Sequence, residues 1–504
     1  MIKILPVHKI READEYTIKH EPISSVDLME RAATRLFKWI LKRLKKGQKV
    51  KVVCGPGNNG GDGLVIARFL VEAGFDTQTY IVKFTDKFST DFAINYDRLK
   101  TLDASCSYIT SKDDIPEFEN NELVIDAIFG SGLSRIVDGL AGDVIESINS
   151  SDAYVVSIDI PSGLFADSTC RKNGGKIIRA DYTLTIETPK LAFFMPENDE
   201  FVGRWEIIPI GLHKDYFDKA KISNFFVSMN DITPRLRGRS KFSHKGTFGH
   251  GLLISGAYGK IGAAVLASKA ALRSGLGLLT VHVPKCGYNI IQTAVPEAMV
   301  SIDSDEENFF YLPKLDPYRA IAIGPGIGQS EGAKMGLKML IQTYNAPIIL
   351  DADALNIIAD HRTWLSFLPQ NSILTPHPGE FARLAGTPSD DFDQIEKARY
   401  MAIKFGIYIV LKGAHTLITT PDGRCFFNST GNPGMATGGS GDVLTGIILG
   451  LLTQGYNSFD ACVVGVYLHG LAADKAVFDK GYNSLIASDI INYLPSAFME
   501  IEWK

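Results

Sequence analysis

The sequence predicts an α/β protein of two domains, each built on a largely parallel β-sheet. Short apolar segments of strand length alternate with helical segments along the chain. Nearly every apolar segment ends in a glycine-rich or polar loop, which is typical of the carboxyl edge of a parallel sheet. The length of 504 residues allows about three domains, and two large α/β domains are equally compatible with it.

The composition is that of an ordinary globular protein, with 45% hydrophobic and 22% charged residues. A net charge of −5 and a pI of about 6.1 argue against nucleic acid or an acidic membrane surface as a partner. The N-terminus has no secretory pattern, and the longest apolar run, residues 443–452, is too short to span a bilayer. Six cysteines without a C-x-x-C pair indicate free thiols. We therefore expect a cytoplasmic protein that binds neither nucleic acid nor a membrane.

Residues 24–47 are predicted to form one amphipathic helix. Ser24 and Asp27 have the spacing of a capping box, and apolar residues recur from Leu28 at helical intervals. Gly47 supplies a stop signal. We expect this helix to belong to the core, without a chemical role.

A strand over residues 49–54 runs into a glycine-rich loop at residues 55–63, and a helix is predicted over residues 64–73. The loop contains G-x-G-x-x-G in the required strand–loop–helix setting. The acidic residue that dehydrogenases place at the end of the next strand is missing, because that strand ends in Lys83. The loop therefore predicts an anion site that is not that of an ordinary NAD-binding dehydrogenase. Its asparagines and Asp62 either contact the ligand or shape the turn.

Three further strands end in polar residues. They cover residues 123–126, 154–159 and 181–188, and the last leads to Pro189 and Lys190. Because parallel strands share one carboxyl edge, Asp126, Asp159 and Ser162 should converge on the glycine-rich loop. Two aspartates beside two glycine-rich loops predict a binding site, although either aspartate alone is also a common helix cap.

The first half of the chain resembles the NAD(P)H-hydrate epimerase domain, with a Rossmann-like fold. The resemblance rests on G-P-G-N-N-G-G-D-G at residues 55–63, on Asp126 with G-S-G-L at 130–133, and on D-I-P-S-G at 159–163. It covers roughly residues 1–220. That family interconverts the R and S epimers of NADHX and NADPHX, the nicotinamide cofactors hydrated at C6.

The resemblance also implies roles for individual residues. Asp159 is the residue that we expect to handle protons, and a potassium ion is expected on Asn59, Asp126 and Ser162. Amide, carboxylate and hydroxyl oxygens are compatible with such a cation. The residues expected to contact the substrate are Asn58, Asn59, Gly60, Gly61, Asp62, Gly130, Ser131, Gly132, Leu133, Ser134, Arg135, Ile136 and Asp159.

The domain boundary is predicted near residues 220–235, where the chain becomes polar and broken. The basic run at residues 235–245 is either a solvated linker or an attraction for a phosphate-bearing ligand. A second α/β pattern then begins, with a small-residue helix over residues 263–274. Its strands are predicted at residues 251–255, 278–283, 319–323, 347–350, 373–374 and 407–411. The G-x-x-x-x-G-K-[ST] sequence of P-loop proteins does not occur.

The stretch from Gly438 to Asp442 predicts an anion site at the start of a helix. Glycines that open a helix present free N–H groups and the positive end of the helix dipole to one point. Such a point most often binds a phosphate. Asp442 is either the cap of this helix or a base that takes a proton from a hydroxyl group beside the phosphate.

This half resembles the ribokinase-like enzymes, and more closely the ADP- or ATP-dependent NAD(P)H-hydrate dehydratase. The resemblance covers about residues 235–500, and we assign the domain to residues 230–504. The motifs that carry it are G-P-G-I-G at residues 324–328, D-A-D-A-L-N at 351–356, T-P-H-P-G-E at 375–380, K-G-A at 412–414, and residues 431–442. It implies that the C6 hydroxyl group is phosphorylated and that phosphate then leaves.

By the same resemblance, Asp442 is the catalytic base and Mg²⁺ is expected with ADP or ATP. The hydrate would contact Ala263, Gly326, His377 and Asp442. The nucleotide would contact Lys412, Gly413, Ala414, His415, Thr416 and Gly441. His377, which lies between two prolines, is equally compatible with a structural role. No histidine spacing predicts zinc.

Three further expectations concern the whole chain. Because both halves recognise the same damaged cofactor, we expect one enzyme that epimerises NADHX and NADPHX and dehydrates the S epimer. The family implies a homo-oligomer, a tetramer or larger. Two alternatives stay open: a ribokinase-like kinase of a small alcohol with an accessory N-terminal domain, and an N-terminal domain that only binds protein partners.

Overall fold

The structure is a computed structural model that describes residues 1–170 and 174–502. Its contacts divide the chain into an N-terminal unit, residues 3–222, and a C-terminal unit, residues 1–2 together with those from Ser223 onward. Residues 171–173 and 503–504, which fall within the two predicted domains, lie outside the described part of the chain.

The N-terminal unit is built on a seven-stranded parallel sheet of order β4-β3-β2-β5-β6-β7-β8. Its strands are β2 (Val50–Cys54), β3 (Thr77–Val82), β4 (Cys106–Ile109), β5 (Leu123–Ala127), β6 (Tyr154–Ile158), β7 (Tyr182–Ile186) and β8 (Arg204–Ile208). Its helices are α1 (Val7–His20), α2 (Ser25–Leu41), α3 (Asn58–Glu72), α4 (Thr90–Lys100), α5 (Gly139–Asn149), α6 (Asp199–Val202) and α7 (Lys214–Lys219). The predicted Rossmann-like parallel sheet is confirmed.

The predicted helix at residues 24–47 is confirmed in kind but was placed six residues too far at its C-terminal end. Ser24 caps α2 by accepting the N–H of Asp27, as expected. The helix ends at Leu41, because the N–H groups of both Arg43 and Leu44 donate to the carbonyl oxygen of Ile40. Shared acceptors of this kind are common at helix ends.

The C-terminal unit is built on an eleven-stranded sheet of order β1-β9-β18-β17-β16-β15-β14-β13-β10-β11-β12. Its strands are β1 (Ile2–Lys3), β9 (Asn224–Phe226), β10 (His250–Ile254), β11 (Leu278–Val283), β12 (Met299–Ile302), β13 (Ala320–Ile323), β14 (Ile348–Leu350), β15 (Ile373–Leu374), β16 (Tyr408–Leu411), β17 (Leu417–Thr419) and β18 (Cys425–Phe427). The run from β12 to β16 is parallel. Strands β17 and β18 continue it in antiparallel pairing.

Helices cover this second sheet and bury its core. They are α8 (Met229–Ile232), α9 (Ile261–Arg273), α10 (Tyr288–Ala294), α11 (Glu331–Thr343), α12 (Asp353–Asp360), α13 (Pro378–Ala385), α14 (Asp391–Phe405), α15 (Ser440–Thr453), α16 (Ser458–Lys480) and α17 (Ala487–Glu502). The main core cluster draws on α9, α15, α16 and α17. The predicted αβα architecture is confirmed.

One helix, α16, is long and apolar enough to cross a membrane by length and composition. In the structure, 78% of its most apolar stretch is buried. Its residues belong to the same core cluster as those of α15. It is packed as a core helix of the C-terminal unit.

Candidate active sites

A cleft of about 910 Å³ opens at the carboxyl edge of the seven-stranded sheet and is called the N-terminal cleft. Loops that follow β2, β5, β6 and β7 form it together with α1. Among its lining residues are Arg11, Asp14, Asn58, Asn59, Asp62, Gly130, Ser131, Gly132, Leu133, Ser134, Arg135, Ile136, Asp159 and Glu187. Most of the predicted substrate contacts therefore surround one cavity.

The predicted loop from Asn58 to Asp62 forms the first turns of α3, so the prediction of a loop there was wrong. Gly60 explains how the helix can begin so early: a Cβ atom there would lie 1.8 Å from the carbonyl oxygen of Gly55. Gly60 and Gly61 are buried and lie outside the residues that line the cleft. They bring the helix start close to the strand, and the polar side chains beside them line the cavity.

Asp126 and Ser162 form a buried hydrogen-bonded pair beneath this cavity. Oδ1 of Asp126 accepts the Ser162 hydroxyl at 2.5 Å, and Oδ2 accepts the N–H of Ser162 at 2.9 Å. Both side chains are fully buried. Burial raises the pKa of Asp126, and the hydrogen bonds from Ser162, Ser157 and Ile128 offset part of that shift.

Asn59 lies against the loop that the Asp126–Ser162 pair holds. The Ser162 hydroxyl accepts the N–H of Phe129 at 2.8 Å. A Cβ atom on the next residue, Gly130, would lie 3.2 Å from Cβ of Asn59. Nδ2 of Asn59 is buried and has no hydrogen-bond partner among the described residues. The structure thus gathers the three predicted potassium ligands around one loop.

Asp159 follows β6 in a left-handed backbone conformation, with φ of 67°. That conformation is uncommon for a residue with a side chain and is frequent at functional sites. Its carboxylate lies 2.6 Å from Nζ of Lys190, whose side chain is 1% exposed. It also accepts the N–H groups of Ser131 and Ile186, each at 3.3 Å. Burial opposes ionisation, but Lys190 and these hydrogen bonds outweigh it and hold the pKa of Asp159 below its ordinary value.

Two further aspartates face this cavity, and their pKa values are raised, whereas that of Asp159 is lowered. Burial, together with the negative charge of Asp159, raises the pKa of Asp14 to about 7, and Lys190 opposes the shift. Burial and the charges of Asp159 and Asp14 also raise the pKa of Asp62. Carboxyl groups with pKa values this far apart in one cleft are typical of acid–base sites.

A second cleft, of about 440 Å³, lies in the C-terminal unit and is called the C-terminal cleft. It is lined by Gly259, Lys260, Gly262, Ala263, Gly326, Ala352, Asp353, Asn356, Glu380 and Asp442. The structure therefore brings together three of the four predicted contacts of the hydrate, Ala263, Gly326 and Asp442.

The start of α15 has the geometry of an anion site. Its N-cap is Gly439, with φ of 87°, a conformation that glycine adopts without strain. The N–H of Ser440 donates to the carbonyl oxygen of Thr437 at 3.4 Å. The next two N–H groups, at Gly441 and Asp442, belong to the first turn, where a helix supplies no acceptor. Burial and the negative charge of Asp351 raise the pKa of Asp442 to about 6, with Lys412 opposing.

Lys412 supplies a positive charge beside this helix start. It follows β16, and its Nζ lies 2.9 Å from Oδ1 of Asp351 and 3.8 Å from Oε2 of Glu380. A Cβ atom on Gly441 would lie 3.3 Å from the same ammonium group. Burial disfavours the charged form, but Asp351 and Glu380 raise the pKa of Lys412. The lysine is held as a cation beside the N-terminus of α15.

The remaining predicted nucleotide contacts form the turn after Lys412. The hydroxyl group of Thr416 donates to the carbonyl oxygen of Gly413 at 3.1 Å. The His415 ring contacts the carbonyl oxygen of Asn428 at 3.0 Å. Gly413 and Ala414 are exposed at the tip.

His377 lies at the N-cap of α13. Its Nδ1 accepts the N–H groups of Gly379 and Glu380, and the Glu380 carboxylate accepts the N–H of His377 at 2.8 Å. Its side chain is half exposed, and it is not among the residues that line the C-terminal cleft. His377 therefore has a structural role as the cap of α13, which was one of the two roles that the sequence left open. Its partner Glu380 lines the C-terminal cleft.

Sequence reasoning assigned no role to several residues of the two sites. Asp351 and Glu380 belong to motifs that were recognised, but their partner Lys412 lies in a distant segment. Lys190 was seen only as a strand end, and Asp14 lay in a segment that gave no signal. Two features of the sequence could have indicated them: the position of Asp351 directly after a strand, and the position of Lys190 next to a proline.

An α/β chain with a carboxylate-lined cleft in one unit, and in the other a cleft beside a glycine-capped helix start and an aspartate, has the architecture of an enzyme with two sites. Residues 25–192 match the family described as YjeF-related protein N-terminus, and residues 251–496 match the NAD(P)H-hydrate dehydratase family. The chain belongs to the family of bifunctional NAD(P)H-hydrate repair enzymes, as the following relatives show.

The bifunctional NAD(P)H-hydrate repair enzyme of Moorella thermoacetica is 34% identical over 497 residues, covering 95% of this chain and 93% of the relative. That of Thermofilum pendens is 34% identical over 515 residues, covering 98% and 96%. Among solved structures, the ADP/ATP-dependent NAD(P)H-hydrate dehydratase of Bacillus subtilis, crystallised with ATP and Mg²⁺, is 36% identical with a TM-score of 0.50. It covers 55% of this chain, which spans 99% of that structure. The family predicted from the motifs is confirmed.

Proposed function

We propose that the two activities are divided between the two units. The enzyme epimerises R- and S-NAD(P)HX and dehydrates S-NAD(P)HX with ADP or ATP, through a phosphorylated intermediate. The N-terminal unit, which corresponds to the predicted domain 1–220, carries the epimerase. The C-terminal unit, which contains the predicted domain 230–504, carries the dehydratase. The single observation that supports this best is that each cleft is lined by an aspartate, Asp159 or Asp442, whose charge a nearby lysine favours.

In the epimerase, Asp159 takes the proton from the C6 hydroxyl group. Its ion pair with Lys190 keeps it ionised at neutral pH, which suits a general base. The side chains of Asn58, Asn59 and Asp62 and the loop from Gly130 to Ile136 hold the hydrated nicotinamide from two sides of the cleft. Gly60 and Gly61 contribute to binding through the close approach of their backbone.

A potassium ion in the epimerase would be held by Asn59, Asp126 and Ser162. The unpartnered amide end of Asn59 fits this ion, because a half turn of the amide brings Oδ1 into its place. The carboxylate and hydroxyl oxygens of the other two complete a hard donor set. When bound, the ion supplies positive charge and fixes the loop after β5. We expect K⁺ to raise the melting temperature and the epimerase rate, and Asn59→Leu to abolish both effects; no K⁺ effect on either would contradict this site.

In the dehydratase, Asp442 takes the proton from the C6 hydroxyl group as the γ-phosphate of ATP, or the β-phosphate of ADP, is transferred. The N–H groups of Gly441 and Asp442 and the Lys412 ammonium stabilise the charge on that phosphate. Asp353 and Glu380, two carboxylates that line the cleft, would hold the Mg²⁺ that accompanies the nucleotide, and the ion would supply positive charge to the phosphates.

The rest of the dehydratase site positions the two substrates. Ala263, Gly326 and His377 are proposed to contact the hydrate. Gly413, Ala414, His415 and Thr416 are proposed to contact the nucleotide. Phosphate is a better leaving group than hydroxide, so its elimination restores the C5–C6 double bond.

We further infer a cytoplasmic homo-oligomer of four or more subunits. The exposed apolar side chains of edge strand β12, Met299 and Ile302, support self-association. Light scattering on the purified chain tests this, and a monomer at micromolar concentration would contradict it.

Purified S-NADHX, enzyme, ATP and Mg²⁺ test the dehydratase. Recovery of NADH absorbance with release of one phosphate and one ADP per NADH is the expected result. A stable phosphorylated product without NADH would favour a kinase of a small alcohol instead. Racemisation of a single purified epimer without nucleotide tests the epimerase, and its absence would favour an N-terminal unit that only binds partners.

A further inference from the structure

The N-terminal cleft holds two aspartates in opposite electrostatic surroundings. Asp159 is paired with Lys190 at 2.6 Å. Asp14, on α1, lines the same cavity and makes neither an ion pair nor a hydrogen bond with any residue of the described segments. The two carboxyl groups are close enough for their charges to interact.

We propose that Asp14 is the catalytic acid that works with Asp159 in the epimerisation. This inference rests on the proposed function of the N-terminal unit. It assigns a second proton-handling residue to a segment, α1, that carries none of the motifs by which the site was found.

The chemistry of the substrate requires both an acid and a base. C6 of the hydrate carries a hydroxyl group and is bonded to the ring nitrogen N1, so it is a carbinolamine. Asp159 takes the hydroxyl proton, C6=O forms, and the N1–C6 bond breaks with its electron pair going to N1. N1 takes the proton of Asp14. Rotation about C5–C6 presents the other face of the aldehyde, and the reverse steps close the ring and return both protons. Nothing is consumed.

The surroundings of Asp14 fit this role better than those of its neighbours. It is faced by Asp62 on α3, by Asp159, Glu187 and Lys190 at the strand ends, and by Arg11 and Glu15 on its own helix. The Glu187 carboxylate already accepts the N–H groups of Ile210 and Gly211, so it is engaged in holding the backbone. Asp62 is about nine-tenths buried in the first turns of α3, whereas Asp14 is partly exposed to the cavity.

The titration of Asp14 supports the assignment. Burial and the charge of Asp159 raise its pKa to about 7, so near neutral pH a large share of the molecules carry this proton and can release it. A group that titrates near the working pH is the most effective acid catalyst. The pKa of Asp159, in contrast, is lowered, which leaves it free to act as base.

The test follows the conversion of purified R-NADHX to the S epimer by the full chain without nucleotide, so that the dehydratase is silent. We expect Asp14→Asn to lower the rate about 100-fold or more. Asp14→Glu, which keeps the acid, should restore most of it. Asp76→Asn, at an exposed position outside the N-terminal cleft, is the matched control and should be unchanged.

The pH profile separates a catalytic role from a structural one. The wild-type rate should fall above about pH 7 as Asp14 loses its proton, and this fall should be absent in Asp14→Asn. A wild-type rate in Asp14→Asn, or a reduced rate with the same alkaline fall, overturns the assignment. The assignment is also overturned if Asp62→Asn loses activity while Asp14→Asn keeps it. A wild-type chain that does not epimerise R-NADHX contradicts the proposed function itself, and the inference with it.

Discussion

Nζ of Lys412 lies 2.9 Å from Oδ1 of Asp351, a carboxylate whose side chain is 1% exposed. The hydroxyl group of Thr445, on α15, donates to the other oxygen of Asp351 at 2.7 Å. One buried carboxylate thus connects the lysine after β16 to α15, whose glycine-rich start is proposed to bind the phosphate. The positive charge beside Gly441 is fixed in place before a nucleotide arrives.

Replacing Asp351 with Asn should misplace Lys412 and slow dehydration. A misplacement of this kind typically costs about 100-fold, and we expect that loss in kcat/KM for the nucleotide. Epimerisation of R-NADHX should be unchanged. Asp360→Asn, at the exposed end of α12, is the matched control. Wild-type nucleotide kinetics in Asp351→Asn would show that the ion pair has no role in the reaction.

Ionised Asp442 should destabilise the C-terminal unit. Its pKa is raised from 3.8 to about 6, so the native state binds this proton more tightly than the unfolded chain. The stabilisation by the proton is complete below pH 3.8 and is lost as the pH rises to about 6. Above that range the ionised Asp442 lowers the free energy of unfolding by about 3 kcal/mol. Asp442→Asn should therefore raise the melting temperature near pH 8 and leave it little changed near pH 4; equal gains at both pH values would contradict the buried charge.

Loss of Lys190 should leave Asp159 as an unpaired buried charge. Lys190→Met is expected to destabilise the N-terminal unit by about 3–5 kcal/mol and to abolish epimerisation. In the double variant with Asp159→Asn, denaturant unfolding should show much of the stability restored, and activity should stay absent. A Lys190→Met chain as stable as wild type would mean that the ion pair at 2.6 Å is not a strong one.

His377 should matter for the stability of α13. Its Nδ1 accepts two N–H groups at the helix start, so His377→Ala is expected to cost about 1 kcal/mol. Asn can make the same cap, and His377→Asn should retain the stability. If His377 also contacts the hydrate, as proposed, both variants should raise KM for S-NADHX. Unfolding of His377→Ala at the wild-type denaturant concentration would exclude the capping role.

The sequence predicted the convergence of strand-end residues because parallel strands share one edge. Asp126 and Asp159 are separated along the chain, yet the rule places both at one sheet edge. In the structure Asp159 lines the N-terminal cleft and Asp126 is buried beside it. The start of α3 was missed for a physical reason. Asparagine and glycine have low helix propensity, and only the close packing of Gly60 on Gly55 shows that these residues are helical.

Side-chain pairing lay beyond what the sequence could predict. Asp351 and Lys412 are 61 residues apart, and nothing in the local pattern of either selects the other. Asp14 lies on a helix whose buried face could not be read from its mixed sequence, so its position in the N-terminal cleft follows only from the fold. The spacing of the motifs predicted which loops line the two clefts. Only the tertiary structure shows which charged side chains, such as Lys412 and Asp14, lie beside those loops.

The most direct test supplies purified R-NADHX with ATP and Mg²⁺ to wild type, Asp159→Asn and Asp442→Asn, measuring both epimers and NADH at equal enzyme concentration. Wild type should convert R-NADHX fully to NADH. Asp442→Asn should racemise it without forming NADH. Asp159→Asn should form NADH only at the spontaneous rate of epimerisation, and at the wild-type rate from S-NADHX. NADH formation by Asp442→Asn, or wild-type conversion of the R epimer by Asp159→Asn, would contradict the division of labour between the two sites.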